Sequence, residues 1–355
     1  EICFPVASVT AMLETGKKLV FSEDSIRVFD EELAKKYKEM GVPEEVLEHS
    51  RKYGKEVAVH ILTWAGEDNY KQTRTFPRYP VTEDIGRWKP TPPGYFDAIE
   101  PHWNVLRPFV LDSAMQFKPA PPPAYDLKPG SEFHEDLMEV YEVGENLDEE
   151  KKEIASFWDC NPFVIHHKGH LMFSEKKITP GGHWVGIAGI ACQQAEADFT
   201  QSVETYAWTT LALADAFISC WDEKYRSSLI RPETVINSHI DEDWKPLLQT
   251  PPFPEYTSGH SVISTAAAHV LTHLYGDNFA FLDTTEVVFG LPPRAFPSFL
   301  VASQEAAISR LYGGIHYMPA IEQGVAQGEG VGKLIIQRLI TRNPNSDQLS
   351  VDSSQ

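Results

Sequence analysis

Lys224, Arg231, Ser258, Gly259, His260, Arg310 and His316 fall in three short blocks in the last third of the chain. These are K-YRSSLI-RP at 224–232, TSGH at 257–260 and SR-LYGGI-H at 309–316. Together they supply three cations, a hydroxyl, a flexible backbone amide and two imidazoles. A tetrahedral oxyanion asks for such a set, because each of its oxygens accepts more than one hydrogen bond. Arginine presents a planar fork that matches two oxygens, and lysine adds a point charge. The run 261–271 reads as a helix, so Ser258-Gly259-His260 opens it. The first amides of a helix lack intrahelical acceptors and the dipole is positive there, which favours an anion before any side chain is counted. The two histidines remain for chemistry.

The elements around these blocks read as helices. Val203, Tyr206, Leu211, Ala214, Ile218 and Trp221 recur at three to five residues and mark the buried face of a helix over 201–225. Lys224 continues that face by one turn, and an ammonium ending a buried stripe needs an anion. Pro232 disfavours helical geometry at Arg231, so the segment is expected to fold over with both cations inward, although a spacing of seven would also suit one helix face. A helix over 298–309, capped by Ser298, delivers Arg310, and Gly313 and Gly314 end it before His316. The site is therefore expected at helix ends. Helical periodicity also marks 31–40, 43–65, 134–143, 149–158 and 183–198. Residues 69–130 are rich in proline and aromatics and form a long wrap or lid, anchored on the surface by Tyr79, Trp88, Tyr95, Phe96 and Trp103. Gly324, Gly328 and Gly332 recur every fourth residue, a spacing that lets a neighbouring helix approach closely. With no internal repeat and little strand signal, the expected fold is an all-α helical bundle. It forms one domain over 1–342 with a polar tail at 343–355.

Composition narrows the partners. The 355 residues are 42% hydrophobic and 23% charged, which is globular, and the net charge of -20 disfavours nucleic acid and anionic membranes. Three cations gathered against that background imply a pocket for a small anion rather than a basic face. Cys3, Cys160, Cys192 and Cys220 lie far apart with no C-x-x-C pair, which gives no zinc motif; they read as ordinary thiols, and two disulfides stay arithmetically open. The apolar run 209–221 is broken by Asp215 and is too short to span a membrane. The chain begins with no signal peptide, and removal of one would place the protein in the periplasm or outside the cell.

In these blocks the sequence resembles the superfamily of vanadium-dependent haloperoxidases and type 2 phosphatidic-acid phosphatases, whose pattern is K-x6-RP, PSGH and SR-x5-H-x3-D. The resemblance covers 221–324 directly, and Phe157-Trp158-Asp159 and Gly182-His183-Trp184 also resemble the group's bacterial haloperoxidases, the iodoperoxidases above all. It implies vanadate as cofactor, His316 as its axial ligand, and Lys224, Arg231, Ser258, Gly259 and Arg310 around the equatorial oxygens. His260 would act as the acid-base group and Lys224 would polarise hydrogen peroxide, so that halide is oxidised to hypohalous acid. Trp221, Phe253 and His183 would line the halide pocket. Phe253 matches a chloroperoxidase-like choice, while the wider resemblance favours iodide, with bromide second.

Two positions depart from the pattern. Thr257 stands where proline is usual, and Ala320 stands where the aspartate that orients the histidine is expected. A backbone carbonyl or Glu322 would then fix the tautomer of His316. The missing aspartate weakens an acid phosphatase using the same socket more than a peroxidase. Taken singly, Lys224 reads as a surface lysine, Arg231 and Arg310 as ion-paired arginines, Ser258 as a helix cap, and Trp221, Phe253 and His183 as packing residues. The ordered combination carries the reading. A non-catalytic anion-binding protein is disfavoured because no donor in the three blocks is lost. The small-molecule partners would be hydrogen peroxide and halide, and the oligomeric state stays open.

Overall fold

The computed structural model describes residues 1–20, 22–162, 164–168, 171–174 and 177–341. The polar tail expected at 343–355 lies outside them. The chain divides into two compact units, 1–75 and 76–355, where the sequence reads as one domain over 1–342. In the first unit, α1 (Phe4–Leu19), α2 (Glu23–Glu39) and α3 (Glu44–Ala65) are followed by one turn, α4 (Tyr70–Thr73). Gly54 permits the α1–α3 crossing, since a Cβ there would lie 2.4 Å from the Ala7 carbonyl oxygen. Buried Asp30 on α2 is paired with Lys17 and Arg51. Helix α1 gave no sequence signal, and α2 begins eight residues before the expected 31.

The second unit holds α5 (Glu132–Glu145), α6 (Glu149–Phe157), α7 (Pro180–Gln194) and α8 (Phe199–Ser227). After these come α9 (Pro232–His239), α10 (Gly259–Tyr275), α11 (Phe299–Tyr312) and α12 (Met318–Arg338). Two short antiparallel hairpins, β1 (Ile165–Lys168) with β2 (Leu171–Ser174) and β3 (Phe281–Asp283) with β4 (Arg294–Phe296), are the strands of the described residues. The all-α expectation holds. Helix α7 ends before the expected 198 because Asp198 is the cap of α8, where it and Gln201 form a reciprocal capping box.

Helix α10 lies at the centre, packed against α7, α8, α11 and α12. Its residues from Ser261 to Ala268 are all buried, so it touches protein all round, as a core helix must. The glycine stripe of α12 packs on it. A Cβ on Gly324, Gly328 or Gly332 would meet Ser261, Val262 or Ala266 at 2.8, 2.2 and 2.9 Å.

The wrap is ordered by polar anchors as well as aromatics. Asp215, which breaks the apolar run in sequence, is fully buried on α8 and accepts the amides of Phe109, Val110 and Leu111 at 2.7, 2.7 and 2.9 Å. Trp88 is buried and its amide donates to the Ser228 carbonyl at 2.8 Å. Trp103 lies against Trp221, with ring centroids 5.0 Å apart, which brings the wrap to the predicted site.

Candidate active site

Four helix ends and two short linkers carry the predicted residues to one place. Lys224 sits in the last turn of α8, and Arg231 has extended backbone and caps α9, with Pro232 as its first residue. This is the fold-over expected from sequence, and the single-face alternative for the two cations does not occur. Ser258 caps α10, its Oγ accepting the Ser261 amide at 3.3 Å, and Gly259 is the first residue of that helix. Arg310 lies in the last turn of α11, and His316 follows in the linker to α12.

Lys224, Arg231 and Arg310 are buried, and each donates to backbone carbonyls. Lys224 Nζ donates to the carbonyls of Pro254, Glu255 and Thr257 at 3.1, 3.0 and 2.5 Å. Arg231 donates to those of Phe253 and Ile315 at 2.9 and 2.7 Å, and Arg310 to that of Trp158 at 2.7 Å. Carbonyls orient a cation without neutralising it. Burial pushes the Lys224 ammonium down to about 8 and Arg231 down to about 10. An anion among them would reverse that cost.

Polar atoms that would face such an anion lack partners. Arg231 Nη2 and His260 Nε2 are buried with no hydrogen-bond partner. The His260 ring bonds the Trp158 carbonyl, which leaves Nε2 as its unpartnered nitrogen, and the residue lines the pocket. A Cβ on Gly259 would stand 3.6 Å from Trp221 and 4.0 Å from Lys224, inside the socket, so glycine leaves that space to a ligand. The donor set fits a tetrahedral oxyanion.

His316 is fixed by a residue the sequence did not reveal. Its Nδ1 lies 2.7 Å from Glu255 Oε1, which also accepts the Tyr317 amide at 3.0 Å. Its Nε2 lies 3.3 Å from Arg231 Nη1, and a guanidinium can only donate, so Nε2 accepts and the proton is on Nδ1. Burial pushes both His316 and His260 well below the ordinary imidazole value, with Arg231 adding to the effect on His316 and Arg310 to that on His260. His316 is therefore a neutral imidazole whose Nε2 lone pair is directed at the Arg231 guanidinium. Glu255, and neither a backbone carbonyl nor Glu322, holds it, contrary to the sequence reading. Ala320, at the aspartate position, contributes its carbonyl, which accepts the Ser258 amide at 2.9 Å.

A cavity of 370 Å³ opens beside the socket, with Gly259, His260, Arg310 and His316 in its lining. Trp103, Phe217, Trp221 and Phe253 form an aromatic wall, with neighbouring centroids 5.0 to 5.7 Å apart. Trp221 and Phe253 thus both line this cavity. His183 is not in the lining. Its ring stacks on Trp158 at 4.5 Å and is held by Asp283 behind Cys160, which does line the cavity.

The chain is similar to known proteins along nearly its whole length. A bacterial vanadium-dependent iodoperoxidase, described as the first of its kind, has a solved structure that is 54% identical. The match covers 96% of this chain and 80% of that one, with a TM-score of 0.90. The chain belongs to the vanadium-dependent haloperoxidases. Residues 204–342 also match the family model "VCPO second helical-bundle domain". Holo and apo structures of a bacterial vanadium-dependent chloroperoxidase share the fold at 16% identity. Their TM-scores are 0.69 and 0.70, and they cover 94% of this chain and 81% and 82% of theirs. No curated protein matches.

Vanadate is the cofactor of this haloperoxidase, and the socket accommodates it. His316, through Nε2, together with Arg231, Arg310, Lys224, Ser258 and the Gly259 amide would hold it. What vanadate supplies when bound is Lewis acidity that makes hydrogen peroxide electrophilic. The chain supplies fixed positive charge in a site shielded from water, where it costs no reorganisation. His260, which lines the cavity with its Nε2 unpartnered, would be the group placed to exchange a proton with peroxide. Among the described residues no helix is long and apolar enough to cross a membrane.

Proposed function

We propose that the chain uses hydrogen peroxide to oxidise iodide, with bromide second, to the hypohalous acid. The observation that carries this is the aromatic wall of Trp103, Phe217, Trp221 and Phe253 beside the socket. Taking an anion from water to such a wall costs free energy that few polar groups return. Iodide, the largest and most weakly hydrated of the common halides, loses least. The 54% identical relative named an iodoperoxidase supports the same choice.

The test compares iodide and bromide oxidation by protein loaded with orthovanadate. Iodide is expected to show the higher kcat/KM, and a preference for bromide would overturn the assignment. A second reading, phosphoester hydrolysis by vanadate-free protein, is favoured by one observation. Glu255 supplies His316 with the carboxylate whose absence weakened that reading in the sequence, and keeps the lone pair on Nε2. The same preparation without vanadate, offered a phosphomonoester, decides it.

A further inference from the structure

Behind the cavity wall, Cys160, His183 and Glu286 turn one atom each towards a common point. Cys160 Sγ and Glu286 Oε1 both lie 3.3 Å from His183 Nδ1, and the three atoms are within 4.8 Å of one another. All three residues are buried. His183 Nε2 lies 2.8 Å from Asp283 Oδ2, an acceptor whose Oδ1 is taken by the amide and hydroxyl of Thr285. The ring proton therefore belongs on Nε2, and the Nδ1 lone pair faces the sulfur and the carboxylate. Glu286 Oε1 has no hydrogen-bond partner. The thiol proton can satisfy Nδ1, but it then leaves the Glu286 oxygen buried and unpaired, at a cost of about 1–3 kcal/mol or more.

A divalent cation satisfies all three atoms at once. Tetrahedral zinc, with bonds of about 2.3 Å to sulfur and about 2.0 Å to nitrogen and oxygen, spaces its ligand atoms about 3.3–3.6 Å apart. Both contacts to Nδ1 have that spacing. A carboxylate on the far ring nitrogen, as Asp283 provides, is how metal-bound histidines are oriented. We propose that Cys160, His183 and Glu286 bind a divalent cation of the zinc class, with Asp283 as the positioning residue for His183. The cation replaces the thiol proton, which leaves to solvent, and the thiolate and the Glu286 carboxylate balance its two charges. Cys160 also lines the cavity, so the site is reached from there. It shares no ligand with the oxyanion socket, so this proposal and the halide assignment stand or fall separately.

The full-length protein, stripped with a chelator and reloaded with orthovanadate, is titrated with Co2+ and read by bound cobalt and by sulfur-to-cobalt charge-transfer absorption. One equivalent per chain with that band is expected, displaced by Zn2+. The band disappears in Cys160→Ser, affinity falls about 10–100-fold in Asp283→Asn, and binding is retained in His316→Ala. Should the variants not fold, the unsubstituted protein still decides: bound Zn2+ is expected to protect Cys160 from alkylation. Equal alkylation with and without Zn2+, no stoichiometric uptake, no charge-transfer band, or loss of binding in His316→Ala would overturn the proposal.

Discussion

At the scale of single residues, Glu255 decides what His316 can do. An imidazole can present a lone pair at either nitrogen, and only the form protonated on Nδ1 offers Nε2 to a metal. Two donors converge on Glu255 Oε1, so this oxygen accepts in either protonation state of the carboxyl, and the tautomer does not depend on it. Burial pushes that carboxyl up to about 7, against the pull of the Arg231 and Lys224 charges. Replacing the acid by the amide removes the charge from the hydrogen bond while keeping the shape. Glu255→Gln is expected to weaken vanadate binding about 10–100-fold, as for other groups that orient metal ligands. Glu255→Ala should weaken it further. Equilibrium dialysis measures this without turnover, and full vanadate affinity in Glu255→Ala would sink the assignment.

At the scale of elements, the socket is only as precise as the contact between α10 and α12. A Cβ at Gly328 would sit 2.2 Å from the Val262 carbonyl oxygen, a backbone atom that cannot swing aside. Gly328→Ala is expected to cost about 1–3 kcal/mol or more through overpacking, seen as a lower unfolding midpoint; an unchanged midpoint would show that the helices separate freely. Helix α5 holds a titrating group. Burial, then Glu132, Glu139, Glu322 and Glu135, push the Asp136 carboxyl from 3.8 up to about 6. The folded state holds the proton more tightly, so this contribution to stability is complete below about pH 4 and is lost as pH rises through 6. Asp136→Asn should therefore stabilise at pH 7, by about 1 kcal/mol once a two-unit shift is discounted for partial exposure. The gain should vanish near pH 4, and denaturant melts showing the same gain at both values would refute the sign. The three blocks and their helices were legible because caps, prolines and apolar spacing act locally. Glu255 was not, since an acid three residues before Ser258 reads as solvated until the fold turns it onto His316. Asp215 misled for the same reason: its partners are amides of the wrap, more than a hundred residues away.

At the scale of the whole molecule, a chain of net charge -20 must admit an anion. The buried cations do not help at long range, because bound vanadate offsets much of their charge and a 370 Å³ cavity confines what remains. Which field an approaching halide feels is set by ionic strength. The screening length is about 30 Å at 0.01 M, long enough to sense the charge of the whole chain, and about 8 Å at 0.15 M, where only the immediate surroundings count. Low salt should therefore hold halide away, and added salt should relieve the repulsion. Hydrogen peroxide is neutral and feels neither field. With a salt of a non-halide anion, KM for iodide is expected to fall a few-fold between about 0.01 and 0.15 M ionic strength, while KM for peroxide stays level. If instead KM for iodide rises, the positive socket dominates the approach, and the acidic surface has no part in setting how fast halide arrives.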